Sequence, residues 1–423
     1  MKKIAVKIVI VLGLLLLFAP VAQAQYRVEL TPSLTMSELY DDNIYLDPDH
    51  EKSDYITTVT PALNLDLVGH HTTLGLRYAP TFVWYADEDD NNTIRHAGTL
   101  TFGQELGQYL RFDLSDTYTK SEEPLEETIG IEGVRHTRNT YQRNTGSASF
   151  RYVFGPENSV TAGYRHSLLQ NDDPTIDDGI EQNPFASATL WLNVNNGLEL
   201  SYGYTDATFS RDDNLPPEDD YTGQSAGVRY IYRFNPHHRC SVGDTLTTRD
   251  FDGTTEDYKV HDWSAGYEQD ISADFSLALG VGYFKQDNET SSDESGVSYN
   301  GSVTKRFQRG SVTIGGAGGW DEAYLEAETR GFSRYQSVTG SVEYQLLEPL
   351  TGYAGGSLRH DQDDTDREWN TYAANCGVRW SFLRWFTAGF EYRYARRNDD
   401  VDADDYTDNQ VMLTLTGSRL FRW

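Results

Sequence analysis

Long apolar runs are nearly missing from this chain. Past the first two dozen residues nothing could cross ~30 Å of hydrocarbon as a helix, which takes ~20 consecutive apolar residues. Basic residues are scarce too: 35 Lys and Arg stand against 65 Asp and Glu, a formal charge of -30. That balance argues against nucleic acid, whose partners carry basic patches, and against a polybasic membrane-surface binder. Only two cysteines occur, Cys240 and Cys376. Each falls mid-segment on the apolar face of a different, distant segment, so they read as two small lipid-facing residues rather than a disulfide. No GxSxG elbow and no HExxH helix is present. His166 and Ser167 are adjacent, but neighbours on a strand point to opposite faces. The chain is therefore not read as an enzyme, and no cofactor or dedicated metal site is expected.

What is plentiful is aromatic. Tyr, Phe and Trp make up 13% of residues, in a chain whose mean hydropathy of -0.60 is that of a polar protein. Aromatics without apolar runs suit strands with lipid on one side and water on the other. Twenty segments of about ten to fifteen residues alternate with period two. In one, Leu74, Leu76, Tyr78, Pro80, Phe82 and Trp84 oppose Thr73, Gly75, Arg77, Ala79 and Thr81. In another, Phe275, Leu277, Leu279, Val281 and Tyr283 oppose Ser276, Ala278, Gly280 and Gly282. The eighth is expected over 184–195.

The connections alternate in kind. Short turns such as Gly107-Gln108 and Arg309-Gly310 are followed by longer acidic stretches such as Asp41 to Asp54 and Glu122 to Arg138. Short periplasmic turns and long outer loops are the asymmetry of a transmembrane antiparallel β-barrel. The expected fold class is all-β, one barrel of twenty strands with eighteen as the next count. Twenty strands at ~4.8 Å spacing, tilted ~40°, give a lumen roughly 40 Å across between backbones. Side chains alone cannot fill that width. It holds water or is plugged by a loop, and Ser121 to Thr140 is the longest candidate.

Both ends fit export. Lys2, Lys3 and Lys7 precede an apolar stretch, Ile8 to Phe18, and the small-x-small sequence Ala22-Gln23-Ala24. Residues 1–24 read as a signal peptide, and 25–423 as the barrel, integral to the bacterial outer membrane. At the other end Val411, Leu413 and Leu415 lead to Phe421 and Trp423 on the same face. This ending resembles the signal read by outer-membrane barrel assembly machinery. The other expected neighbours are outer-membrane lipid and lipopolysaccharide.

Charges recur at the water-facing positions. The basic set is Arg77, Arg111, Arg151, Arg165, Arg229, Arg233, Arg306, Arg359, Arg379 and Arg393; the acidic set is Asp113, Glu199, Glu268, Glu343 and Glu391. A charge facing lipid at mid-depth costs ~2–4 kcal/mol, so these are expected to line the lumen. They read as a guide track for a charged or hydroxyl-rich polymer, since the guanidinium fork suits carboxylates. The plainer reading is pairing across strands that keeps the wall wet. The acidic loops read as a solvated surface, with hard-cation bridging the second reading. The best local clusters, Asp361, Asp363, Asp364 and Asp366, and Asp399, Asp400, Asp402, Asp404 and Asp405, lack EF-hand spacing.

The first hairpin reads Val28 to Leu34, then Asp41-Asp42-Asn43-Ile44-Tyr45, then Ser53-Asp54-Tyr55-Ile56-Thr57 and Val59-Thr60-Pro61. This pattern resembles a β-barrel porin family, many of whose members accompany bacterial exopolysaccharide or capsule biosynthesis. The resemblance implies a conduit for export of a surface polysaccharide, working with a synthesis or export machine. The alternatives are a general or substrate-selective diffusion porin and a structural or adhesive surface barrel.

Overall fold

The computed structural model describes residues 26–125, 134–135, 137–211, 216–326 and 331–423. The signal peptide expected over 1–24, and the middle of the longest loop, lie outside them. The first ten strands are β1 (Arg27–Asp41), β2 (Asp54–Val68), β3 (Thr72–Tyr85), β4 (Thr93–Glu105), β5 (Leu110–Ser121), β6 (Tyr141–Val153), β7 (Ser159–Asn171), β8 (Asp178–Trp191), β9 (Asn196–Ser210) and β10 (Tyr221–Asn235). The second ten are β11 (His238–Phe251), β12 (Tyr258–Ser272), β13 (Phe275–Asn288), β14 (Glu294–Phe307), β15 (Gly310–Ala323), β16 (Gly331–Leu347), β17 (Leu350–Asp363), β18 (Glu368–Leu383), β19 (Phe386–Asp399) and β20 (Tyr406–Ser418). A two-residue continuation of β20, Phe421–Arg422, pairs with the start of β1.

Each strand pairs antiparallel with the next, and β1 pairs with both β2 and β20, from Ser33↔Ser418 to Asp41↔Gln410. The sheet closes on itself, which leaves no edge to template aggregation. β8 begins six residues before the expected start, because Asp178 to Gln182 pair with β9 and Gly179 to Asn183 with β7 at the long-loop end.

Register carries one face of every strand outward. Leu76, Leu100, Phe112 and Phe150 lie on that face, and so do Cys240 and Cys376, which are free thiols. Aromatic pairs sit near the short-turn rim, with ring centroids 6.0 Å apart for Tyr152 and Phe154 and 5.2 Å for Trp380 and Phe382. Such rings belong where hydrocarbon meets headgroups.

The buried core lies inside the tube, towards the long-loop end. Tyr85, Tyr221, Tyr258, Phe332, Trp369 and Tyr406 are all buried and stand at or next to the long-loop ends of their strands. A lumen this wide cannot be filled by its wall, so segments from the loops complete the packing.

Candidate functional site: the lumen and its two in-folded loops

The β5–β6 hairpin and the β15–β16 hairpin stand ten strands apart in a ring of twenty, on opposite walls. Both send their long loops inward. In the β5–β6 loop, Leu125 bridges to Val134, and the Arg135 N–H donates to the Pro124 carbonyl at 2.8 Å. That pair packs on Leu46, Ala373 of β18, Ala395 of β19 and Tyr406 of β20. The loop therefore reaches the far side of the barrel seam.

Charge seats it. Glu122 is almost fully buried and receives the Arg95 guanidinium at 2.9 and 3.0 Å from Nε. Arg138 donates to the Ile44 carbonyl at 2.7 Å and to the Tyr85 hydroxyl at 2.6 Å, and lies 3.5 Å from Glu123 and 3.6 Å from Asp41. Burial pushes the Glu123 carboxyl up, but Arg95, Arg138 and Arg393 together hold it below the usual carboxylate range. A cavity of about 570 Å³ lies between this loop and the wall, lined by hydroxyls such as Ser37, Thr58 and Thr119 and by Arg95 and Arg393.

From the opposite wall, Tyr324 of the β15–β16 loop packs 5.2 Å from Tyr221 and 5.5 Å from Phe251, measured between rings. Its hydroxyl is 3.1 Å from that of Tyr258, which donates to Glu322 at 2.6 Å. Leu325 rests over Gly179 of β8, where an added Cβ would clash with its Cδ1. Glu326 takes Arg143 of β6 at 3.1 Å. The two loops narrow the outer part of the lumen from both sides.

The fifteen charged residues expected at water-facing positions all fall by register on the face these loops contact. Most arginines are paired. Arg111 meets Asp113 at 2.8 Å, Arg229 meets Glu199 at 2.7 Å, and Arg379 meets Glu343 at 2.6 Å. Arg393 meets Glu391 at 2.6 Å, Arg359 holds Asp361 at 2.9 Å, and Arg233 meets Glu157 at 2.9 Å while lying 3.9 Å over the Trp191 ring. Glu268 is taken by Arg239 at 2.9 Å. Three arginines have no carboxylate partner among the described residues, Arg77, Arg151 and Arg306, while Arg165 makes no close ion pair but acts on the Glu181 carboxylate of β8. Arg151 reaches only the Ser159 hydroxyl at 3.3 Å, and Arg165 lies 5.7 Å over Phe185. Arg111 and Arg151 are directly opposite one another, and Arg165 follows on β7.

The motif in the first hairpin sits at the seam. Asn43 is fully buried; its Nδ2 donates to Asp47 O at 2.9 Å and to Thr407 O at 3.0 Å. Asp42 accepts from Asn409, and Ile44 packs with Ile56, Val83 and Tyr85. Asp54 collects the N–H groups of Ala86 at 3.0 Å and Glu88 at 2.9 Å, tying down the β3–β4 loop. Ser53 is exposed. Pro61 lies where the β2–β3 ladder lapses between Val59↔Phe82 and Leu63↔Tyr78, with Pro80 on the other strand. Prolines are tolerated there because no ladder donor is required.

The two acidic clusters are organised by guanidinium groups. Asp399 takes Arg367 at 2.7 Å and Arg397, Arg367 also reaches Asp404, and Asp361 is buried inside β17 against Arg359. Sequence reasoning missed the seats of the two loops. The adjacent acids Glu122-Glu123, with Arg138 in the same long loop, were the available signal.

The family model described as "Putative beta-barrel porin 2" matches residues 192–419, from the end of β8 through β20. The chain belongs to this family of barrel porins. The motif of the first hairpin lies outside the matched span. Among solved structures, the ferric enterobactin receptor PfeA of Pseudomonas aeruginosa, in complex with enterobactin, is similar at 9% identity and a TM-score of 0.53, covering 92% of this chain and 81% of that one. The siderophore receptor PirA of Acinetobacter baumannii is similar at 9% identity and 0.53, covering 93% and 80%. PirA of Pseudomonas aeruginosa gives 10% and 0.52, covering 92% and 80%. At such identities the likeness is one of fold, that of outer-membrane barrels. No curated protein matches the sequence. Barrel fold and porin family accord with a non-enzymatic channel.

Proposed function

We propose that this porin is an integral outer-membrane pore through which a hydroxylated, acidic glycan leaves the periplasm. The observation that carries the reading is the β3–β7 lumen wall. There Arg77 and Arg151 stand without carboxylate partners among the described residues, and Arg165, which acts on the Glu181 carboxylate without a close ion pair, stands with them among hydroxyl side chains such as Thr99, Thr117, Thr145, Ser147 and Ser167. Guanidinium forks hold carboxylates weakly in water and repeatedly along a path, and conduction needs sites weak enough to leave. The paired charges keep the rest of the wall wet. The resemblance in the first hairpin supplies the polymer class, an exopolysaccharide or capsular polymer, and a synthesis or export machine in the periplasm or inner membrane as partner and source of motive force. Lipopolysaccharide would surround the outer rim, and barrel assembly machinery would insert the chain.

A second reading, a substrate-selective diffusion porin, is favoured by the in-folded loops, since a narrowed mouth suits small solutes.

The test is a strain lacking the gene, assayed for polysaccharide at the surface and retained in the periplasm. Loss outside with accumulation inside is expected. Restoration by the wild-type chain, but not by one carrying Arg151→Glu and Arg165→Glu, supports the exporter. Unchanged polysaccharide would sink it and leave the diffusion porin.

A further inference from the structure

The outer wall should be apolar through the hydrocarbon, and for most of the ring it is. Asp244 of β11, between Val228 and Trp263, departs from this rule singly, and His96, Lys120, Gln142 and Gln170 form a polar row nearer the long-loop ends of β4–β7. A second row lies deeper. Asp116 stands halfway along β5, on the outward face with Phe112 and Leu114, and pairs with Leu100 of β4 and Gly146 of β6. Its carboxylate leans over Gly146, where an added Cβ would meet Oδ2 at 3.1 Å, and its one side-chain partner is the Asn144 amide, 3.2 Å from both oxygens. Along the same row Gly146 pairs with His166, His166 with Gln182, and Gln182 with Asp206. Acids and amide or imidazole donors thus share one stripe across five adjacent strands. The His166 imidazole has no hydrogen-bond partner among the described residues.

Lipid tails offer no donor to a carboxylate and no acceptor to an imidazole, so ionisable groups at this depth turn to protein. A stripe carrying both kinds of group is self-complementary under a two-fold axis, because an isologous contact sets one patch against itself. Gly146, between Asp116 and His166, leaves the wall flat where two barrels would touch. We propose that the outer face of β5–β9 is the contact with a second copy of this chain, a side-by-side dimer in which Asp116 of each copy meets His166 of the other. The inference is independent of what the pore carries.

The test uses the full-length protein extracted from its own outer membrane in mild detergent, sized by light scattering and native mass spectrometry. A dimer is expected. His166→Glu sets carboxylate against carboxylate and is expected to give monomer. The exchange of Asp116→His with His166→Asp restores the pair and should restore the dimer. A double change to Leu removes both groups, and is expected to leave a closed, heat-modifiable barrel that is monomeric. A monomeric wild-type protein would overturn the proposal. So would a dimer indifferent to His166→Glu, or a stripe occupied by lipopolysaccharide or a different protein.

Discussion

Asp42 and Asn409 lie 367 residues apart in sequence, and their side chains lock the barrel shut: Asp42 accepts from the Asn409 backbone N–H at 2.7 Å and from its amide Nδ2 at 2.8 Å. The Asp42 N–H returns a bond to the Asn409 carbonyl at 3.2 Å. With Asn43 bound to Thr407, the motif of the first hairpin is explained as a clasp across the β1–β20 seam. A cyclic sheet has one pairing that chain connectivity does not help to form, and these residues stand there.

Replacing Asp42 with Ala leaves two donors without acceptors. The expected cost is ~1–3 kcal/mol. It should appear as a lower temperature for conversion of the compact gel band to the unfolded one. The same change at Asp90, which is exposed, should leave that temperature unmoved.

Arg138→Met removes a cation that seats the β5–β6 loop, takes from Asp41 its guanidinium and leaves Glu123 to Arg95 and Arg393. Breaking a buried pair from one side costs ~3–5 kcal/mol, and here the loss falls on the loop rather than on the ladder. Protease added to folded protein should cut within the β5–β6 loop of the variant faster than in the wild type, while the barrel stays heat-modifiable. Equal cutting would show that Arg138 does not hold the loop.

Asp173, in the β7–β8 loop, joins that loop to the end of the β5–β6 loop. It accepts from Thr175 at 2.7 Å, from Thr137 at 2.7 Å and from Asn139 at 3.1 Å. Burial pushes its carboxyl up, but these bonds outweigh that and bring it down to about 2 from an ordinary 3.8. A depressed carboxylate stabilises the folded loops above the unfolded value and loses that contribution as pH falls through the folded one. Pepsin sensitivity of the β5–β6 loop should therefore rise as pH drops from about 4 to about 2. Asp173→Asn should flatten the profile, and an unchanged profile would rule Asp173 out as the tie.

Phe421 pairs with Leu30, and Trp423 exchanges backbone bonds with Val28 at 3.0 and 3.1 Å. If these aromatics are also read during assembly, Phe421→Ala with Trp423→Ala should cut the amount of folded barrel in the membrane several-fold. Refolding into detergent from urea should proceed as for the wild type. Equal loss in both assays would assign the residues to stability instead.

The wall was legible because period two is a local signal: Leu74 to Trp84 shows its two faces without reference to any neighbour. The same periodicity placed the lumen charges on their face, including both members of the Arg111–Asp113 pair. Their partners were less legible. Arg229 and Glu199, or Arg379 and Glu343, meet only through register and side-chain reach. The seats of the loops were hidden for a stronger reason. Leu125 and Val134 look like ordinary loop residues until β18, β19 and β20 come round to meet them. Asp116 was concealed by its own strand, where Leu114 and Tyr118 keep the alternation going through it.

Two loops narrow the lumen from opposite walls. Single-channel conductance in planar bilayers tests it directly, comparing the wild type with a chain carrying Arg138→Met and Gly179→Val, which unseat one loop each. A small wild-type conductance that rises severalfold in the variant is the predicted result. A wild-type conductance already matching an unobstructed tube roughly 40 Å across, and unchanged in the variant, would contradict it.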